Sequence, residues 1–190
     1  MKTFLDELYD ALRSYLEPYF DLDVYMDKDR LQGGDFFDPM LASELCHSIC
    51  MILVYTPKYF DRVKMFCARE YKLMERLEQN RLDMLPQGSP EKGLIIPILF
   101  KGGIKYLPPP LKTNRHHYDF SEYRLSHSPI IRNEKYEPFF EKIAEYIYEL
   151  SLEFEQLDND PCADCDGIRL PEDKDVQNFL GTIIPPFPGR

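Results

Sequence analysis

The chain has 190 residues, 44% of them hydrophobic and 29% charged, with a formal net charge of −10. That length and apolar share suit one domain with a sizeable core and at most a short appendage. The acidity disfavours both phosphate backbones and anionic membrane surfaces, and no run of Lys and Arg offsets it, so neither nucleic acid nor membrane is expected as a direct partner.

Residues 2–20 set Phe4, Leu5, Leu8, Leu12, Tyr15, Leu16 and Tyr19 at helical spacing, with acids and Arg13 opposite, which predicts an amphipathic helix. Residues 22–26 are short and partly alternating, the pattern of a strand. Residues 27–35 are polar, and Gly33-Gly34 reaches positive φ at little cost, so a loop is expected there. A second helix is predicted from near Phe36 or Asp38. Asp35 or Asp38 can cap it, Pro39 suits its first turn, and Phe37, Met40, Leu41, Leu45 and Ile49 form its apolar face. Cys50 to Tyr55 is an unbroken apolar run closed by Thr56-Pro57, the mark of a buried parallel strand. Residues 60–82 predict a third helix through Phe66, Cys67, Tyr71, Met74 and Leu77, and residues 83–92 a Pro/Gly/Ser loop.

Leu94 to Phe100 reads as a second buried strand, closed by Gly102-Gly103. Pro97 removes a ladder donor from it, which predicts a sheet edge or a bulge. Residues 104–115 are a proline-rich loop, and residues 117–120 suit a short edge strand. Tyr136 to Leu157 predicts a long helix with Pro138 in its first turn and an inner stripe of Phe139, Phe140, Ile143, Ile147, Leu150 and Phe154. Strands alternating with helices in this way predict an α/β layer fold with a mostly parallel sheet and helices on both faces. Residues 1–157 would form that domain. Residues 158–190 carry Pro161, Pro171, Pro185, Pro186 and Pro188 and few periodic apolar residues, and read as an irregular C-terminal extension.

The chain has five cysteines, and Cys46, Cys50 and Cys67 lie in apolar, patterned segments, as reduced buried thiols of a cytoplasmic protein do. Asp6, Glu7 and Asp10 interrupt the first apolar stretch, unlike a signal peptide, and no segment approaches a membrane span in length. Cys162 and Cys165 have ligand-like spacing, but zinc usually takes four ligands, no second Cys pair exists, and His116 and His117 could serve only by chance of folding, so no metal is expected. A redox role for that pair is weakened by its place in a proline-rich segment rather than at a helix start. Gly33-Gly34 has neither dinucleotide nor Walker spacing, and no nucleophile elbow is present. Glu70 remains. It lies one turn after Phe66 and Cys67, at the margin of the helix's apolar face. From there it can point into the crevice at the strand ends where open α/β sheets bind ligands, although a solvated carboxylate is the plainer reading of such a position.

The stretch from Leu31 to Glu70 resembles the centre of a TIR (Toll/interleukin-1 receptor) domain. That family has a glycine loop, an aromatic residue, a helix, a Ser before a buried strand ending in Ser-Pro, a Tyr, and then a Ser-x-Trp-Cys-x-x-Glu motif. Here Gly34, Phe37, the helix through Leu41 and Leu45, Ser48, the strand Ile49 to Tyr55, Thr56-Pro57, Tyr59 and the run Lys64 to Glu70 stand in that order. Phe37 and Phe66 take the place of tryptophans, and Lys64 that of the serine. The strand holding Pro97 and the helix over 136–157 fit as well, so the resemblance spans about residues 1–157.

The resemblance implies a flavodoxin-like TIR fold. It also implies an NAD+ glycohydrolase that cleaves the nicotinamide–ribose bond, a signalling or antiviral defence effector switched on by assembly. Glu70 would be its catalytic residue, Phe37, Tyr59, Phe66 and Cys67 would contact the substrate, and NAD+ would be a substrate rather than a cofactor. The loop at 27–35 would carry homo-oligomer contacts, with an upstream sensor as a further partner. A non-catalytic TIR adaptor is the alternative, and a flavodoxin-like receiver outside the family is a third. Family members open with a strand before the first helix, whereas this chain opens at that helix. A gap of about 10 Å is then expected between the strand at 22–26 and the one at 49–55. Leu180 to Ile184, short and β-branched, is a candidate to fill it.

Overall fold

The computed structural model describes residues 3–21, 24–26, 37–61, 63, 65–86, 92–113, 115–123 and 129–183. Helix α1 covers Phe4–Leu16 and opens with a capping box: the Thr3 side chain accepts from the Asp6 amide, and the Asp6 carboxylate accepts from the Thr3 amide. Helix α2 (Phe37–His47) leads to strand β1 (Met51–Tyr55), helix α3 (Phe66–Leu82) and strand β2 (Ile95–Leu99). A short helix α4 (Pro109–Lys112), strand β3 (Tyr118–Asp119), helix α5 (Glu137–Glu155) and helix α6 (Asp173–Ile183) complete the order. The long helices thus form where the apolar spacing predicts them, with ends trimmed by a turn or less, except that α3 starts six residues later than expected, after a turn at 57–60.

The sheet has three parallel strands in the order β1-β2-β3. Successive residues of a strand face opposite sides, and the core divides accordingly. Leu53, Tyr55, Ile95 and Leu99 face one cluster with α2, α3 and α6, whereas Ile96 and Ile98 face a second with α1, Phe120 and α5. Helices therefore cover both faces, as in an α/β fold.

Three expectations are corrected. First, β2 is the central strand, so Pro97 is at neither an edge nor a bulge. Phe100 donates to the Tyr55 carbonyl and Met51 donates to the Leu94 carbonyl, so even-numbered residues of β2 turn their polar groups toward β1. The donor that Pro97 lacks would face the other side, where β3 pairs only with Ile98 and Leu99. The proline thus falls where the ladder has no partner for it. Second, residues 158–183 are not wholly irregular. They end in α6, and Cys162, Leu170, Val176, Leu180 and Ile183 are buried in the same cluster as α2 and α3. Residues 180–183 are helical, so they cannot fill a sheet gap as a strand, and Ile184 lies outside the described residues. Third, Cys46 is not a reduced thiol: it is bonded to Cys165. Cys50 and Cys67 are not in a disulfide.

Residues 24–26 carry no regular structure, and Leu22 and Asp23 lie outside the described residues. So do Phe36, Lys64 and the loop expected at 27–35 with Gly33 and Gly34. Among the described residues, β1 has one strand partner, β2. No helix of the described residues is long and apolar enough to cross a membrane.

Candidate functional site

Helix α3 positions the candidate carboxylate. It starts beyond the carboxyl end of β1 and runs back along the sheet until Glu78 meets the amino end of β2, where its carboxylate accepts from the Leu94 and Ile95 amides. Glu70, in the second turn of α3, therefore stands toward the carboxyl ends of the strands. It is half-buried.

The residues singled out with Glu70 fall into two adjoining groups. Tyr59 sits in the turn after β1, its ring packed on Phe60 and near Tyr55. Burial holds its hydroxyl well above the ordinary phenol range, and the charge of Glu70, then Cys67 and Tyr71, pushes the same way. Tyr59, Glu70 and Cys67 thus share one electrostatic neighbourhood, with Tyr59 a neutral donor. Phe37 and Phe66 meet edge to face with ring centres 5.3 Å apart, and both are more than a third exposed. An aromatic pair therefore lies at the first residue of α2 and the first of α3.

Sequence reasoning missed Arg69. Its guanidinium lies 5.7 Å from the centre of the Phe66 ring, pairs with Asp38 at 2.5 Å and donates to the Pro171 carbonyl at 2.5 Å. It fastens the start of α2, the start of α3 and the segment before α6 together, beside Glu70. An Arg beside the motif Glu is the local signal that could have found it, but its partners at positions 38 and 171 are not legible from spacing.

A cavity of about 840 Å³ lies at the opposite end of α3, lined by Lys72, Arg76, Glu78, Lys92, Arg115 and Asp175 among others. Most of its charges are matched: Arg115 grips Glu78 through both carboxylate oxygens, Lys72 pairs with Glu75, and Lys92 pairs with Glu149 and Glu153. This end of the sheet is the amino end of the strands, so the cavity is separate from the Glu70 neighbourhood. The network there has a structural consequence instead. It joins α3, the lead into β2 and Arg115, ahead of β3, around one carboxylate.

His116 and His117 have ring centres 6.4 Å apart, and among the described residues no group of three or more His, Cys, Asp or Glu is arranged to hold a metal ion. The chain matches no protein-family model, no curated protein and no solved structure.

Proposed function

We propose that the chain is a TIR-type NAD+ glycohydrolase in which Glu70 carries the chemistry, acting as a signalling or defence effector when assembled. The observation that carries this reading is the place of Glu70 in the second turn of α3, one turn after the Phe66 that meets Phe37, on the carboxyl side of a parallel sheet. Open α/β sheets bind ligands on that side. Departure of nicotinamide builds positive charge on the ribose carbon, and a carboxylate held nearby stabilises that charge or holds the ribose hydroxyls. The aromatic pair can stack on the nicotinamide ring, and a neutral Tyr59 hydroxyl can donate to a hydroxyl or a phosphate oxygen. Water then attacks the ribose carbon. Segment 27–35 supplies the contacts between copies in this reading.

The test is nicotinamide release from NAD+ by concentrated protein, beside Glu70→Gln. The amide keeps the shape and removes the charge. Turnover should fall by about 10²–10³, by analogy with losing one oxyanion-hole donor, while NAD+ affinity changes far less. Equal turnover by both proteins would assign the reaction to another residue. Absence of turnover in either protein, in the assembled state, would replace this reading with the adaptor.

A further inference from the structure

Three of the five cysteines converge where the C-terminal segment meets the turn between α2 and β1, with a fourth beside them. Cys46, near the end of α2, is bonded to Cys165 across 119 positions of sequence. Cys162 keeps a free, buried thiol whose sulfur lies 3.9 Å from the Ser48 carbonyl. The Cys165 sulfur in turn rests 3.3 Å from the Cys162 carbonyl, so the disulfide lies against the residue that bears the free thiol. Free Cys50 is close enough for Cys162 and Arg81 to act on its thiol.

Arg81 lies under this cluster and is only 2% exposed. Its guanidinium donates to the carbonyls of Cys46, Ser48 (2.8 Å) and Pro161 (3.2 Å), with no carboxylate bound to it among the described residues. Burial works against its charge, and the Cys162 sulfur, then Asp160 and Cys50, work for it. A buried cation whose bonds all go to neutral carbonyls favours an anion beside it, and here the anion-forming groups that act on it are the Asp160 carboxylate and the thiols of Cys162 and Cys50.

We propose that Cys46, Cys162 and Cys165 form a thiol–disulfide exchange site, with Arg81 as the cation that stabilises the thiolate, and that exchange releases residues 158–170 from α2. Cys162 gives up its proton and its sulfur turns from the Ser48 carbonyl to attack the Cys165 sulfur. The bond between the Cys162 and Cys165 sulfurs forms as the Cys165–Cys46 bond breaks. Cys46 leaves with the electron pair and takes up a proton. Atoms and charge balance, no net oxidation occurs, and no co-reactant is needed.

The two bonds differ in what they hold. The Cys46–Cys165 bond closes a loop of 119 positions and ties α2 to the segment after α5. A Cys162–Cys165 bond closes a loop of three positions and ties that segment to nothing else. Helix α6 stays docked in both states, through Val176, Leu180, Ile183 and the stacking of Phe179 on Tyr71 with ring centres 5.4 Å apart. The resting state is quiet because burial holds the Cys162 thiol above its ordinary range against the pull of Arg81.

The full chain, purified without reductant, is equilibrated in a series of reduced and oxidised glutathione mixtures, quenched in acid, alkylated and peptide-mapped. The bonded protein should show the Cys46–Cys165 link with a Cys162–Cys165 link beside it, in a ratio that does not change with the mixture because the two forms share one oxidation state, until a more reducing mixture converts both to thiols. Amide exchange over 158–170 should quicken with that second link, while 173–183 stays protected. Cys162→Ser should pass from the Cys46–Cys165 link straight to thiols, with no second link. If wild type never forms the Cys162–Cys165 link at any mixture, the proposal fails. It fails equally if 158–170 exchanges alike in both bonded forms, or if the reduced chain retains zinc with its thiols blocked.

Discussion

The ion pair at the amino end of β2 sets a stability that can be worked out. Glu78 is 9% exposed, and its Oε2 accepts from the Leu94 amide at 2.5 Å, the Ile95 amide at 3.2 Å and Arg115 at 2.7 Å, while Oε1 accepts from Arg115 at 2.5 Å. Both side chains are close to nine-tenths buried, so solvent screens the pair little. Glu78→Ala leaves a buried guanidinium and two amides without their acceptor. Removing one partner of a buried pair costs about 3–5 kcal/mol. For a chain of this size each kcal/mol lowers Tm by about 2–4 °C, so a fall of about 6–20 °C is expected in calorimetry. Arg115→Met should cost less, because the Glu78 carboxylate keeps its two backbone donors. A fall under about 2 °C for Glu78→Ala would show that the pair is worth no more than a surface salt bridge and would refute this account.

Alkaline pH should weaken the fold. Burial pushes the Cys50 thiol and the Tyr146 hydroxyl each up to about 12. Both are neutral in the folded state where the unfolded chain, at ordinary values of 9.0 and 10.0, has begun to ionise. The unfolded state then binds fewer protons, so their contribution is whole below pH 9 and is lost as pH rises toward 12, by at most roughly 1.4 kcal/mol per unit for each proton. A urea midpoint that is equal at pH 7.5 and 10.5 would contradict this. Thr3→Ala removes the cap of α1 and should cost about 0.5–2 kcal/mol, read from the same urea curves, whereas Thr3→Ser should stay within a few tenths of wild type.

The sequence by itself determined the elements whose signal is local. Apolar residues at helical spacing mark α1, α3 and α5, and unbroken apolar runs mark β1 and β2. Each of these signals lies within a few residues of the feature it specifies, because a helix turn or a strand pleat relates near neighbours only. Helix α6 carried the same kind of signal in Val176, Leu180 and Ile183, but its spacing was obscured by the prolines on either side. Tertiary structure decided what depends on partners far along the chain. Arg69 meets Asp38 and Pro171, Arg81 meets Cys46, Ser48 and Pro161, Glu78 meets Arg115, and Cys46 meets Cys165. The place of β2 between β1 and β3 belongs to this class as well, and so does the tolerance of Pro97 there. None of these contacts has a period or a motif. Each exists because packing the two faces of the sheet brings its ends together, and a side chain carries no mark of which distant group it will meet.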